Sequence, residues 1–213
     1  MMSEGFAAFA LRARENGITD PDLVSAFERA GRPHFVDAAH RDAVWSPRSI
    51  PIECGQTLES PDLQIALLSA LDLKPGQRLL EIGTGSGFSA AVLAAQADRM
   101  LSIERYRTLA ASASEQMKRL GFDHAIIRHG NAFDALEPEE GPFDRIVVWA
   151  AFDRLPGHLA GWLCGGGVAI VTIGLPDEPQ SVVKLEKIGS RFERTDFAEA
   201  RMQPLAEQKA FYL

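Results

Sequence analysis

Three alternating glycines stand out in the run Leu79-Leu80-Glu81-Ile82-Gly83-Thr84-Gly85-Ser86-Gly87-Phe88, with an apolar stretch before them and the helix-forming SAAVLAAQA after them. Glycine lets the chain turn sharply and lets a ligand approach with no Cβ in the way, and a helix start offers N–H groups without intrahelical partners. The spacing G-x-G-x-G is neither the G-x-G-x-x-G of dinucleotide sites nor the G-x-x-x-x-G-K-[ST] of triphosphate sites, and no Lys follows it. A nucleoside without phosphates, such as S-adenosylmethionine, fits better. Two acids support that ligand. Glu81, just before the first glycine, can face a cationic methionine portion directly or through water. Glu104 closes the next apolar run, 21 residues after Gly83, where a carboxylate can accept from both ribose hydroxyls. In the turn His129-Gly130-Asn131-Ala132, the Asn131 side chain or a neighbouring N–H could read the adenine edge, although both residues are equally at home as turn formers. The expected cofactor residues are therefore Glu81, Gly83, Thr84, Gly85, Ser86, Gly87, Glu104, Gly130 and Asn131.

The elements that must carry these residues follow from periodicity. Phe6, Phe9, Ala10 and Ala13 predict a helix over 3–16, and Thr19-Asp20-Pro21 offers a cap and a first-turn proline for another over 21–31. From Arg32 to Pro61 no period is sustained, so ordered but irregular chain is expected there. Ser60 can cap a helix over 61–71 that puts Leu63, Leu67, Leu68 and Leu71 on one face. After Lys74-Pro75-Gly76 the chain alternates: RLLEIG, a helix, MLSIE, a helix over 106–120, HAIIRHG, then DRIVVWAA, a short helix near 155–162, and GGGVAIVTIG. This is the α/β pattern of a mostly parallel, doubly wound sheet. The tail, VVKLEKI and RFERTDFAEARM around Gly189-Ser190, reads as an antiparallel hairpin added at the sheet edge. Residues 1–76 are expected to form a helical cap and substrate lid, and 77–213 the core of one compact unit.

Composition narrows the function further. The 213 residues carry 22 Lys and Arg against 29 Asp and Glu, a net charge of −7, so a phosphate backbone is repelled on average and nucleic acid is excluded as the main partner. No apolar run approaches the ~20 residues of a membrane span, and the charged, amphipathic start is unlike an export signal. A cytoplasmic protein is expected. Cys54 and Cys164, 110 residues apart, have no partner at metal spacing and are expected to be buried thiols; no metal site is expected. The five histidines, His34, His40, His124, His129 and His158, are scattered, and Trp45, Trp149 and Trp162 are expected in core or rim packing, with Trp45 also placed to line the mouth of the lid.

The run EIGTGSGF followed by SIER, with RPHFV, PIECGQT, LKPGQRLLEIGTGSG, FDRIVVWAA and a late MQPL, resembles the protein-L-isoaspartate O-methyltransferase family along almost the whole chain. GTGSG alone indicates a methyltransferase; the GQT segment, Gly55-Gln56-Thr57, about 28 residues upstream narrows the family. The resemblance implies a Rossmann-like methyltransferase fold, S-adenosylmethionine as cofactor, and a protein or peptide substrate bearing isoaspartate, whose free carboxylate accepts the methyl group. In that family the residue two places after the threonine is a serine at the reacting centre. Here Glu59 stands in that position and Ser60 falls one place late. Glu53-Cys54 likewise replaces the usual Gly-Tyr, and Asn131 stands where Asp is commoner. Thr57, Glu59 and Ser60 are the catalytic candidates, with Thr57 and its neighbours under the methyl group and the 44–60 segment as a lid. A carboxylate acceptor is already ionised at neutral pH and needs positioning rather than a base. A hydroxyl or amine acceptor would need one, and Glu59 is then the candidate. A module that binds the cofactor without turnover is a third reading. The glycine spacing argues against a nicotinamide dehydrogenase.

Overall fold

In the computed structural model, which describes residues 4–157, 159–206 and 210, the chain opens with two helices, α1 (Glu4–Glu15) and α2 (Pro21–Ala30). Asp20 caps α2, its carboxylate accepting from Asp22 N at 2.9 Å and Leu23 N at 3.2 Å, and Pro21 supplies a first residue with no N–H to satisfy. The apolar stripe of α1 buries Phe6, Phe9 and Ala13. Phe9 stacks on Phe27 at 5.4 Å and on Trp45 at 5.1 Å. Ser3, at the expected start of the first helix, lies outside the described residues.

The irregular stretch holds 3-10 turns at Arg32–Phe35, Ala38–Ala43 and Glu53–Gly55, and a two-stranded ribbon, β1 (Ile50–Pro51) and β2 (Thr57–Leu58). Helix α3 (Pro61–Leu71) follows, capped by Ser60 Oγ, which accepts from Leu63 N at 3.2 Å. The core then alternates as β3 (Arg78–Ile82), α4 (Phe88–Ala94), β4 (Arg99–Glu104), α5 (Arg107–Leu120), β5 (Ala125–His129) and α6 (Ala132–Ala135). It continues with β6 (Phe143–Phe152), α7 (Leu159–Trp162), β7 (Leu163–Ile173), β8 (Gln180–Ile188) and β9 (Arg191–Ala200). The expected short helix near 155–162 is realised as α7; His158 lies outside the described residues.

The sheet order is β5-β4-β3-β6-β7-β8-β9. The five strands from β5 to β7 pair in parallel, while β8 and β9 are antiparallel. The chain winds outward from β3 to β5 and then returns to lay β6 on the other side of β3. A crevice therefore opens at the carboxyl ends of β3 and β6, where ligands bind in open α/β sheets. Side chains alternate across the sheet: Leu79, Val147 and Ile170 join the cluster containing Phe9, Phe27 and Phe88, while Leu80, Ile82, Ile146 and Val148 join that of Phe143, Leu159 and Leu163. Helices cover both faces, as expected.

The cysteines differ from expectation. Both are free and only half-buried. Cys54 sits in the turn between β1 and β2 with φ 59°, and Cys164, at the start of β7, donates to Asp144 Oδ1 at 3.4 Å. Turns and strand ends leave one side open to solvent.

Candidate functional site

The register sets the floor of the crevice. Glu81 pairs with Ser102 on β4 and with Val147 on β6, so both flanking strands can supply partners to one buried carboxyl. Ser102 Oγ donates to Glu81 Oε2 at 2.6 Å, Trp149 Nε1 donates to Oε1 at 2.8 Å, and Thr84 Oγ1 lies 2.5 Å from Ser102 Oγ. Glu81 is fully buried, and burial pushes its carboxyl up to about 7 against the pull of these hydrogen bonds. It supports the cleft from beneath rather than lining it.

Above it the glycine turn leaves β3 with φ 56° at Gly85 and 93° at Gly87, values that L side chains rarely adopt. A Cβ on Gly87 would sit 2.9 Å from Ala113 Cβ, so glycine is also what lets α4 start against α5. Gly85 N donates to Glu104 Oε2 at 2.8 Å and Tyr106 N to Oε1 at 2.9 Å. These bonds fix the carboxylate at the end of β4, where it is 4% exposed and raised by burial. Its remaining lone pairs are available to a diol.

The opposite wall comes from the irregular 44–60 segment. The β1–β2 ribbon places Ile52 over Gly85, where a Cβ would be 3.4 Å from Ile52 Cδ1. Gln56 Nε2 ties the ribbon to Tyr106 Oη at 3.2 Å, and Gln203 Nε2, from the closing segment, donates to Gly55 O at 3.0 Å. Arg32, fully buried, donates to Val44 O at 2.8 Å, to Glu59 O and to Gln64 Oε1. Between the two walls lies an open cleft of about 520 Å³, bordered by Thr57, Glu59, Gln64, Ser86, Glu104 and Trp149 among others. Thr57 Oγ1 donates to Glu59 Oε1 at 3.3 Å. Burial raises the Glu59 carboxyl, while the Thr57 hydrogen bond and the Arg32 charge draw it back.

Of the residues singled out in the sequence, Thr57, Glu59, Gly83, Thr84, Gly85, Ser86 and Glu104 meet around this cleft. Five others lie off its wall, Glu81 beneath the turn and four more elsewhere. Ser60 is the cap of α3, and Gly87 that of α4. Gly130 N donates to Glu104 O at 2.8 Å. The Asn131 side chain caps α6, accepting from Phe133 N at 3.2 Å and donating to Asp134 Oδ2 at 3.1 Å. Trp149 does more than pack, since its indole holds Glu81. Trp45 sits among Phe6, Phe9 and Phe88, and Trp162 stacks on Phe133 at 5.8 Å. Sequence reasoning passed over Ser102, Arg32, Gln64 and Gln203. Only Ser102 carried a signal, a small polar residue inside the apolar run MLSIE. Among the described residues no cluster of acidic, histidine or cysteine side chains could hold a metal ion.

The residues present fit S-adenosylmethionine. Ser86 Oγ is buried at the cleft with no hydrogen-bond partner among the described residues, the glycine turn leaves room for close approach, and the Glu104 carboxylate has the acceptor capacity that a ribose diol would use. Fold and cleft together define a Rossmann-like, S-adenosylmethionine-dependent methyltransferase. The sequence model described as Protein-L-isoaspartate(D-aspartate) O-methyltransferase (PCMT) matches residues 7–210, and the chain belongs to this family. The protein-L-isoaspartate O-methyltransferase of Rhizobium meliloti (strain 1021) is 42% identical over 204 residues, covering 96% of this chain and 100% of the relative. That of Paracoccus denitrificans (strain Pd 1222) is 37% identical over 199 residues, covering 93% and 91%. The crystal structure of PCMT from Plasmodium falciparum, in complex with S-adenosyl-L-homocysteine, aligns with a TM-score of 0.82 at 22% identity, covering 97% of this chain and 100% of that one. That last likeness bears on the fold. No helix among the described residues is long and apolar enough to cross a membrane.

Proposed function

We propose that the cleft methylates the free carboxylate of isoaspartyl residues in damaged proteins and peptides in the cytoplasm, with the residues at the lid end of the cleft handling the acceptor. The observation that carries this reading is the meeting of the glycine turn and Glu104 with Thr57 and Glu59 around one cavity in a chain of this family. S-adenosylmethionine, when bound, supplies an electrophilic methyl carbon. The work of the chain is to position the partners, because a carboxylate acceptor is ionised without a base. Gly85, Ser86 and Glu104 hold the nucleoside and methionine ends, and Glu81 places a titrating carboxyl beneath the turn. Thr57 lines the approach to the acceptor, and the ribbon carrying Ile52 covers the glycine turn and excludes water. Glu59, in the position of the family's serine, meets the substrate carboxylate best when it is protonated.

The test is methyl transfer from labelled S-adenosylmethionine to matched isoaspartyl and aspartyl peptides. Turnover selective for the isoaspartyl peptide is expected. Equal turnover of both, or none while the cofactor binds, would overturn the reading.

A further inference from the structure

The cleft must hold a carboxylate, yet none of its described lining residues is Lys or Arg, and Glu59 and Glu104 are acids. The acceptor is then held by neutral donors. Most side-chain N–H donors on the wall are committed elsewhere. Gln56 Nε2 donates to Cys54 O and Tyr106 Oη, Gln203 Nε2 to Gly55 O, and Trp149 Nε1 to Glu81.

Gln64 differs. Its side chain is 2% exposed and lines the cleft. Its Oε1 accepts from Arg32, and its Nε2 makes no hydrogen bond to any described residue. A guanidinium has only donors, so it settles which way the amide is turned: the oxygen toward Arg32 and the NH2 away from it. The same guanidinium holds Glu59 O and Val44 O and lies 4.7 Å over the Phe88 ring, forming no ion pair among the described residues. A buried cation is costly unless carboxylates offset it, and Glu59 and Asp62 both act on this one from outside ion-pair distance. Here it fixes the lid's end and the orientation of one amide, and it sets positive potential behind that amide. Glu59, through its backbone carbonyl, and Gln64, through its side chain, are bound to one guanidinium and so lie close together on the cleft wall.

We propose that Gln64 Nε2 is the donor that docks the substrate carboxylate, and that Arg32 is the positioning residue that turns the amide toward it. This rests on the reading of the cleft as an isoaspartyl methylation site.

Gln64→Met removes the donor at similar volume. Gln64→Glu leaves Arg32 an acceptor and replaces the NH2 by oxygen. With folding followed by thermal unfolding and cofactor affinity by calorimetry, both variants should raise the KM of an isoaspartyl peptide by about tenfold or more, the range for a hydrogen bond to a charged group. The dissociation constant for S-adenosylmethionine should stay within about twofold, and kcat should change far less than KM. Arg32→Lys should raise KM too, and combined with Gln64→Met it should add clearly less than its single effect, only what its bonds to Val44 O and Glu59 O contribute, because the orientation of an absent amide has no effect. Unchanged peptide KM in Gln64→Met overturns the proposal, as does weakened cofactor binding with peptide KM intact. If Gln64→Met does not fold, unchanged KM in Gln64→Glu overturns it equally. Additive effects of Arg32→Lys and Gln64→Met would remove Arg32 from the docking role and overturn that half. Failure of the wild type to methylate the isoaspartyl peptide while binding cofactor would overturn the functional reading and this proposal with it. Selective wild-type turnover with indifferent Gln64 variants overturns the proposal alone.

Discussion

Glu59→Gln should tighten the isoaspartyl peptide at alkaline pH and change little at acid pH. Glu59 borders the cleft, and its carboxyl is raised chiefly by burial. The charged groups around it are Arg32 behind its backbone, Asp62 on α3, which acts on Arg32, and Glu104 across the cleft. When ionised, Glu59 confronts the incoming carboxylate. Two like charges about 4 Å apart repel by about 1 kcal/mol at the dielectric of water and about 4 kcal/mol at an effective value of 20. That corresponds to a KM penalty of about fivefold to several-hundredfold. The fold raises the Glu59 pKa, so the group holds its proton further up the pH scale than a free carboxyl does. The penalty is absent below that raised pKa and complete above it. The acceptor, an α-carboxyl with an ordinary pKa of about 3.5, is already largely ionised at the ordinary Glu value of about 4.3, so a titration from about pH 4.5 to 8.5 follows Glu59 upward from its unshifted position with the acceptor charged. Wild-type KM should therefore climb with pH while that of Glu59→Gln stays flat, with the two converging at the acid end. Glu81 titrates within the same range, but it does so in both proteins and cancels in their ratio. Steady-state methyl transfer at several pH values measures this directly. If the KM ratio is constant within about twofold over the whole range, Glu59 does not meet the acceptor. If Glu59→Gln instead abolishes transfer, the carboxylate is needed as such, as a base for a hydroxyl or amine acceptor would be.

Three further outcomes follow from the geometry. Gly87→Ala should cost about 2 kcal/mol or more, because φ is 93° and the new Cβ would lie 2.9 Å from Ala113 Cβ; thermal unfolding and cofactor titration should both register it, and an unchanged Tm would contradict it. Glu81 has a folded pKa of about 7 against an ordinary 4.5, so the folded chain keeps a proton that the unfolded chain gives up between those values. Stability falls as pH rises through that window, by on the order of 3 kcal/mol, and urea denaturation at pH 5 and pH 8 should show Glu81→Gln with a flatter dependence; the wild-type slope surviving in the variant would place the titration elsewhere. Asp20→Ala removes the acceptor for two N–H groups at the start of α2 and should cost about 1 kcal/mol, read from the shift in denaturation midpoint, with methyl transfer unchanged because the cap lies away from the cleft.

What could be read from the sequence divides along physical lines. The glycine turn, Glu81 and Glu104 are local signals, since each is defined by its distance from a strand end, and strands in a parallel sheet end at one edge. Asp20, Ser60 and Pro61 announce helix starts because caps act over three residues. Ser60 illustrates the limit of a residue-type argument: a hydroxyl near a reacting centre and a hydroxyl capping a helix look alike in sequence, and the bond to Leu63 N assigns Ser60 to the cap. Asn131 divides in the same way in favour of α6. The wall of the cleft opposite the glycine turn was out of reach, because it is assembled from long-range contacts that obey no period. Gln203 reaches Gly55 across 148 positions and Arg32 reaches Gln64 across 32. Arg32 gave no sign of burial, since arginine is rarely buried fully and the surrounding RPHFV lacks periodicity. Glu59 was visible only as an odd residue against a family pattern. Its setting, with its side chain bonded to Thr57 and its backbone carbonyl held by the guanidinium that also holds Gln64, is built from contacts across 27 and 32 positions that no local pattern announces.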